Sequence, residues 1–192
     1  MLKGQRASLG KRGIDMPDIR KRVEGDRGLL KRIQLAIPGF AGYRRKEDLR
    51  ASDNVLRIQL TKRLGEVRDG LEECRRALIA GYSTDQLEDI GGLVNKFQAV
   101  EGKVRHAEQG YSGISPPIRI EEGTLDHLYE YDWAMIDYVI SMEKNIVDLR
   151  AAIDAHNDSG IKAQVQDLRG RLADFDRSFD ERLERSAGIF NF

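Results

Sequence analysis

From Leu60 to Leu78 the apolar residues step by four, three, four, three and four: Leu60, Leu64, Val67, Leu71, Cys74, Leu78. Side chains at that spacing form one line along an α-helix, and the line must be buried against another helix. The same spacing returns in Ile161, Val165, Leu168, Leu172, Phe175 and Phe179, with Leu183 continuing the face. Two other stretches carry the helical period. Leu87, Ile90, Val94, Phe97, Val100, Val104 and Ala107 mark one face. Leu125, Leu128, Asp132, Met135, Val139, Met142, Ile146, Leu149 and Ile153 mark another, widened by Trp133, Ile136 and Ile140. The chain therefore reads as all-α: a long-helix antiparallel four-helix bundle of two helical hairpins, with helices at about 44–80, 84–109, 124–156 and 160–187. A seam does not by itself separate an internal core from one shared with another copy, so a coiled coil between chains stays open.

The punctuation fits this reading. Gly81 supplies a helix stop, and Ser83-Thr84-Asp85-Gln86 reads as a capping box. Thr124 can cap the third long helix, and Asn157-Asp158-Ser159-Gly160 makes a turn with capping residues. Only four prolines occur, and Pro116-Pro117 stiffens the longest break, residues 110–123, where Ile118 and Ile120 allow a short strand-like stretch. Gly65 and Gly70 interrupt the first seam, and Gly91-Gly92 leaves room for a neighbouring helix.

Residues 1–43 form a separate basic part. Residues 1–18 read as a flexible arm. Ile19, Val23, Leu30, Ile33 and Ile37 share a helix face among basic residues, but Gly25 and Gly28 shorten the expected helix to about 28–36, and Pro38-Gly39 ends it. The zero net charge hides an asymmetry: residues 1–50 hold 14 basic and 6 acidic side chains, residues 121–192 hold 8 and 16. Three readings follow. The N-terminal helix packs on the bundle and its charges meet the acidic half; or residues 19–37 bind an anionic membrane surface, apolar side down; or the arm sits on nucleic-acid phosphates. The last is disfavoured, because residues 1–39 hold no aromatic residue for base stacking.

Chemistry-bearing motifs fail one by one. There is no phosphate-binding glycine loop, no dinucleotide fingerprint and no His-Glu-x-x-His. Gly110-Tyr111-Ser112-Gly113-Ile114 misses the nucleophile elbow at its fifth residue. His106, His127 and His156 each lack the Glu three residues earlier that a di-iron bundle uses. Asp126, His127 and Glu130 are the one cluster worth testing for metal, and the plainer reading is an exposed polar helix surface. The chain is read as non-enzymatic, with no cofactor and no metal. The single cysteine, Cys74, excludes an internal disulfide and suits a reducing compartment. The start has positive charge but no apolar run behind it, and no stretch approaches the ~20 apolar residues of a transmembrane helix. The expected location is cytoplasmic, and membrane-peripheral if residues 19–37 bind lipid.

Two constellations remain. Asp132 falls inside an apolar seam, and a buried carboxylate needs a partner. The first long helix, traced back from Leu60, puts Arg57, Asp53 and Arg50 on its seam line. These four either form an interior polar cluster that sets the bundle's register or sit at its rim in water. The second is Pro38-Gly39-Phe40-Ala41-Gly42-Tyr43-Arg44-Arg45-Lys46. It is either a turn that folds the N-terminal helix back, pinned by Phe40 and Tyr43, or a partner surface using Phe40, Tyr43, Arg44, Arg45 and Lys46.

Residues 39–53, Gly-Phe-Ala-Gly-Tyr-Arg-Arg-Lys-Glu-Asp-Leu-Arg-Ala-Ser-Asp, with Val55-Leu56-Arg57 beyond, resemble a segment of helical proteins of bacteria and archaea that have no assigned activity. Those proteins share the glycine–aromatic–glycine–tyrosine turn, then Lys-Glu and Arg-x-x-Asp. The likeness covers about a tenth of the chain. It implies an intracellular, prokaryotic, helical protein and gives no residue a role. The layout of basic start, long hairpins and acidic end is also similar to that of the PspA/ESCRT-III membrane-remodelling proteins, without a shared motif.

The function expected is that of a non-catalytic scaffold or adaptor, binding another protein or itself through helix faces. Leu30, Ile33 and Ile37 are the candidate contact residues of the N-terminal helix, and Phe190 and Phe192 of the apolar tail. Peripheral binding to anionic lipid is the alternative, and an enzyme with an unrecognised site the third.

Overall fold

The structure, a computed structural model, describes residues 28–42, 46–79, 84–107 and 122–190; of residues 43–50, 84–85, 122–126 and 186–190 no side chain is described. The short helix α1 covers 28–36. Four long helices follow: α2 (Lys46–Leu78), α3 (Thr84–His106), α4 (Glu122–Asp154) and α5 (Asp158–Phe190). The described residues contain no strand. The protein is an all-α helical bundle. Each 33-residue helix spans about 50 Å at ~1.5 Å per residue.

Seam residues make the core. Leu56, Leu60, Leu64, Leu71 and Leu78 of α2, Phe97 of α3, Met135, Val139, Met142 and Leu149 of α4, and Leu168, Phe175 and Phe179 of α5 are fully or almost fully buried. α2 pairs with α3 and α4 with α5, each pair joined by a short link and antiparallel. The two hairpins then lie side by side in the same sense. Arg63 on α2 meets Glu143 on α4 at 2.7 Å, and Gly70 lies beside Ile146 further along both helices. On the other side Arg169 on α5 reaches Asp89 on α3 at 3.3 Å, and Lys103 reaches Asp176 at 2.7 Å and Asp180 at 2.6 Å. So α2 runs parallel to α4, and α3 parallel to α5. The helices that the longest link joins, α3 and α4, stand on a diagonal; the short links join neighbours. Gly70 permits the close approach of the hairpins, since a Cβ there would sit 2.7 Å from Cγ2 of Ile146. Gly91 serves a different purpose from the one expected: Arg75 of α2 lies over it, its Cζ 3.3 Å from where a Cβ would be.

The end holding the α4–α5 turn is here called the apex, and the end holding the first residues of α2 and α4 the base. At the apex α4 stops in a Schellman arrangement: Asn157 N–H donates to Ala152 O (2.9 Å) and His156 N–H to Ile153 O (3.0 Å). His156 takes the left-handed conformation, φ 52°. Asn157 then caps α5, its side-chain oxygen accepting from Gly160 N–H at 3.0 Å.

At the base α3 is short, 23 residues against 33 for its neighbours. Its end lies level with Arg57 of α2, whose Nη1 donates to Ala107 O at 3.0 Å and so caps the last carbonyls of α3. α1 packs at this end, with Ile33, Ile37 and Phe40 in the core. Pro38 and Gly39 (φ 87°) form the tight turn that follows α1, closed by Phe40 N–H to Ile37 O at 3.2 Å. Phe40 meets Tyr129 edge-on at 6.5 Å, Arg32 lies over the Trp133 ring at 5.7 Å, and Ser52 Oγ donates to Gly42 O at 3.1 Å.

This placement corrects three candidate contact residues. Ile33 and Ile37 are 0% exposed and Phe40 4%, so they form core and not a free surface. At the end where α3 stops short, the apolar face of α1 packs into the core. Leu30 is half-buried, near Gly42 and Tyr129. The outward side of α1 keeps Lys31, Arg32 and Leu35. Tyr43, Arg44, Arg45 and Phe192 lie outside the described residues, as do the side chains of Lys46 and Phe190.

Candidate functional site

Following α5 from Phe179 by the next seam step of three leads to Arg182. It is 2% exposed. A charged group buried that far is tolerated only when paired and hydrogen-bonded. The Nε of Arg182 donates to Oδ1 of Asp132 on the neighbouring α4, and Nη1 reaches Oδ1 of Asp53 at 2.6 Å, across the diagonal on α2. Asp132 is 0% exposed. Asp53 also accepts from Nε of Arg57 at 2.9 Å, and Arg57 in turn holds the end of α3. Among the described residues, two guanidiniums and two carboxylates from α2, α4 and α5 thus make an ionic layer near α1. Burial pushes the Asp53 carboxyl up, but Arg182 and Arg57 together outweigh it and hold its pKa below the usual carboxylate value.

Of the four residues read from the sequence as a polar cluster, Asp53, Arg57 and Asp132 come together, and the side chain of Arg50 lies outside the described residues. The bridging residue, Arg182, was missed. Its signal was there in the strict count of the α5 seam.

This layer is built for holding helices together. A nucleophile–base pair is not part of it, and it lies in the interior. His127 and Glu130 sit exposed, 3.2 Å apart, with the side chain of Asp126 outside the described residues. Among the described residues no three His, Cys, Asp or Glu side chains converge as a metal site requires. Cys74 is buried in the α2 seam, and burial raises its thiol pKa, which keeps it in the unreactive protonated form. No helix among the described residues is long and apolar enough to cross a membrane.

The outer surface has one uneven feature. Five large apolar side chains are well exposed among the described residues: Leu35, Ile58, Ile79, Ile140 and Val147. Three stand singly on α1, on α2 and just after α2, which is ordinary for a surface. Ile140 (40%) and Val147 (67%) stand seven residues apart on α4. With Asp137, Lys144, Arg150 and Ala151, also exposed, they line the outer face of that helix. The period assigned Ile140 to a widened core face; the core face is instead centred on Met135, Val139 and Met142, about one residue's rotation away.

No protein-family model, curated protein or solved structure matches this chain.

Proposed function

We propose that this chain is a non-catalytic helical scaffold, working in the cytoplasm, that binds protein through the outer face of α4. The observation that carries the reading is the pair Ile140 and Val147, two turns apart on one line of a helix whose opposite face is already used by the core. Anchors at that spacing are how a helix presents itself to another helix or to a groove. The interior charges lend support. Asp53, Arg57, Asp132 and Arg182 are engaged in joining helices, so the polar chemistry of the interior serves the shape of the bundle. Cytoplasmic location rests on the single unpaired thiol, Cys74.

The test is photo-cross-linking in the native cell. A photoreactive residue is placed at position 140 or 147 of the full chain, with Asp69 on α2 and Asn95 on α3 as exposed control positions. Protein adducts confined to 140 and 147 are the expected result. Adducts at none of the positions, or equally at all four, would sink the reading.

A further inference from the structure

We propose that the cavity between α2 and α3 near the base binds the phosphate group of a small phosphate monoester; this is independent of the α4 reading. On α2, Asn54, Arg57, Ile58, Thr61 and Lys62 follow one another by three, one, three and one residues. That spacing puts them on one face of the helix, beside the seam of Leu56, Leu60 and Leu64. With Arg105 of α3 they line a cavity of about 400 Å³. Its size is that of a small-molecule site and leaves room for an organic body beyond the phosphate. The lining holds three cations and, among the described residues, no carboxylate. Two other cavities mix the signs. Lys162 and Arg169 stand with Asp89 and Asp158 between α3 and α5, and Arg75 and Arg76 stand with Glu72 at the far end of α2. A concave surface with cations alone concentrates anions.

Thr61 adds an unmet group. It is 8% exposed, and its hydroxyl has no hydrogen-bond partner among the described residues. A buried hydroxyl left unpaired costs free energy, and an anion's oxygen is an acceptor for it. The cations around it are held but not used up. Arg57, 12% exposed, is fixed by Nε to Asp53 and by Nη1 to Ala107 O, which leaves further N–H groups of its fork. Arg105 gives Nη2 to Glu101 at 2.5 Å. Lys62 stands 3.6 Å from Glu66, beyond hydrogen-bonding distance. The carbonyl end of α3, which would repel an anion, is covered by the bond from Arg57. A phosphate monoester brings close to two negative charges and three acceptor oxygens to these donors. Ile58, exposed at the same cavity, gives the organic part an apolar contact.

The purified full chain is titrated at low salt with glycerol 3-phosphate, inorganic phosphate and glycerol, and followed by amide NMR. Glycerol 3-phosphate should saturate, with shifts concentrated at 54–62 and around Arg105. Inorganic phosphate should bind more weakly, and glycerol not at all. Thr61→Val keeps the shape and removes the hydroxyl. It should leave the melting temperature unchanged or higher and weaken binding about fivefold or more. Lys62→Gln with Arg105→Gln should weaken it about tenfold or more, and Lys144→Gln on α4 should change nothing. Phosphatidylcholine vesicles with phosphatidic acid present the same group on a lipid and separate the two sources. Retention by them that is lost in Thr61→Val would assign the lipid-borne monoester; saturation by glycerol 3-phosphate without retention would assign the soluble one. Absence of both would overturn the proposal. So would shifts spread over the whole surface, equal loss in Lys144→Gln, or binding that survives Thr61→Val and the double variant alike.

Discussion

Along α5 the seam positions Ile161, Val165, Leu168, Leu172, Phe175 and Phe179 are buried apolar side chains, and three residues later the same line holds Arg182 at 2% exposure. The apex side and the base of one bundle are thus filled with different chemistry. The apolar stretch is permissive, because one leucine packs on another in many alignments. The ionic layer is not. Arg182 needs Asp132 from α4 and Asp53 from α2 at the same level. Were one hairpin turned end for end, Arg182 would keep Asp132, which lies in its own hairpin, but would lose Asp53 of α2 and face the apolar Leu71 and Leu78 in its place. The two stretches divide the labour: the apolar seam supplies stability, and the Arg182–Asp53 link between the hairpins favours their side-by-side, same-sense alignment.

The comparison breaks most directly at Arg182. Arg182→Met takes the buried guanidinium away from both Asp132 and Asp53 and should cost about 3–5 kcal/mol in urea unfolding. Phe175→Ala in the apolar stretch should cost a similar ~3–5 kcal/mol through its cavity. The two part company on rescue. Adding Asp132→Leu to Arg182→Met removes the opposite buried charge as well and leaves Asp53 with Arg57, so stability should return to within about 1.5 kcal/mol of the parent. No single partner change refills the Phe175 cavity as well. Selectivity should then fall: distance labels at Asn54 and Glu130, both exposed near the base, should show a second, longer population in the double variant. One short distance in every variant would mean that the apolar seams alone fix the alignment.

These residues also mark how much was legible beforehand. The polar seam positions Asp53, Arg57 and Asp132 stand out because they interrupt an apolar rhythm. Arg182 is masked in the sequence by the apolar Leu183 beside it, although the seam's own step from Phe179 points one residue earlier. The four long helices follow from periodicity and lack of proline. Which helices stand on the diagonal does not, since seams specify a buried face and not its neighbour. The face of α1 was legible as Ile33 and Ile37, but its destination was not: a lipid surface and the bundle core at the end where α3 stops short ask for the same side chains. For Ile140, neighbouring core residues at helical spacing hid a position that turns outward.

A smaller effect is expected where the hairpins approach. Gly70→Ala places a Cβ against Ile146, and the loss should be about 1–2 kcal/mol despite a gain of up to ~1 kcal/mol in helix propensity. With Ile146→Ala as background the same substitution should become stabilising, as thermal melts would reveal. A destabilising Gly70→Ala in that background would show that the close approach lies elsewhere.

Acid should act on the base. The pKa of Asp53 is lowered in the folded chain, because Arg182 and Arg57 overcome the opposing effect of burial. Folding therefore favours the carboxylate. Its contribution is complete above the unfolded value, about 3.9, and disappears as pH falls through the lower folded value. Unfolding free energy measured down to pH 2–3 should fall less steeply for Asp53→Asn than for the parent, while above about pH 5 the two slopes should coincide. Equal acid slopes would mean that Asp53 contributes no proton linkage.

The smallest change belongs to the apex, at a turn remote from the ionic layer. His156 holds φ 52° because the end of α4 requires a left-handed residue there to deliver the bonds to Ala152 and Ile153. For an L side chain that conformation costs roughly 1–2 kcal/mol, and glycine adopts it without the steric cost. Glycine also has more freedom to lose in the unfolded chain, which returns part of the gain. His156→Gly should accordingly raise stability by about 0.3–1 kcal/mol, while His156→Val should lower it, since a β-branched residue fits the left-handed region worst. The gain should add to the cost of Arg182→Met without coupling, because the two sites share no partner and stand at opposite ends of helices about 50 Å long. A clear coupling in that double variant would mean that the apex turn and the ionic layer are one cooperative unit, and that the division between the two ends is smaller than their chemistry suggests.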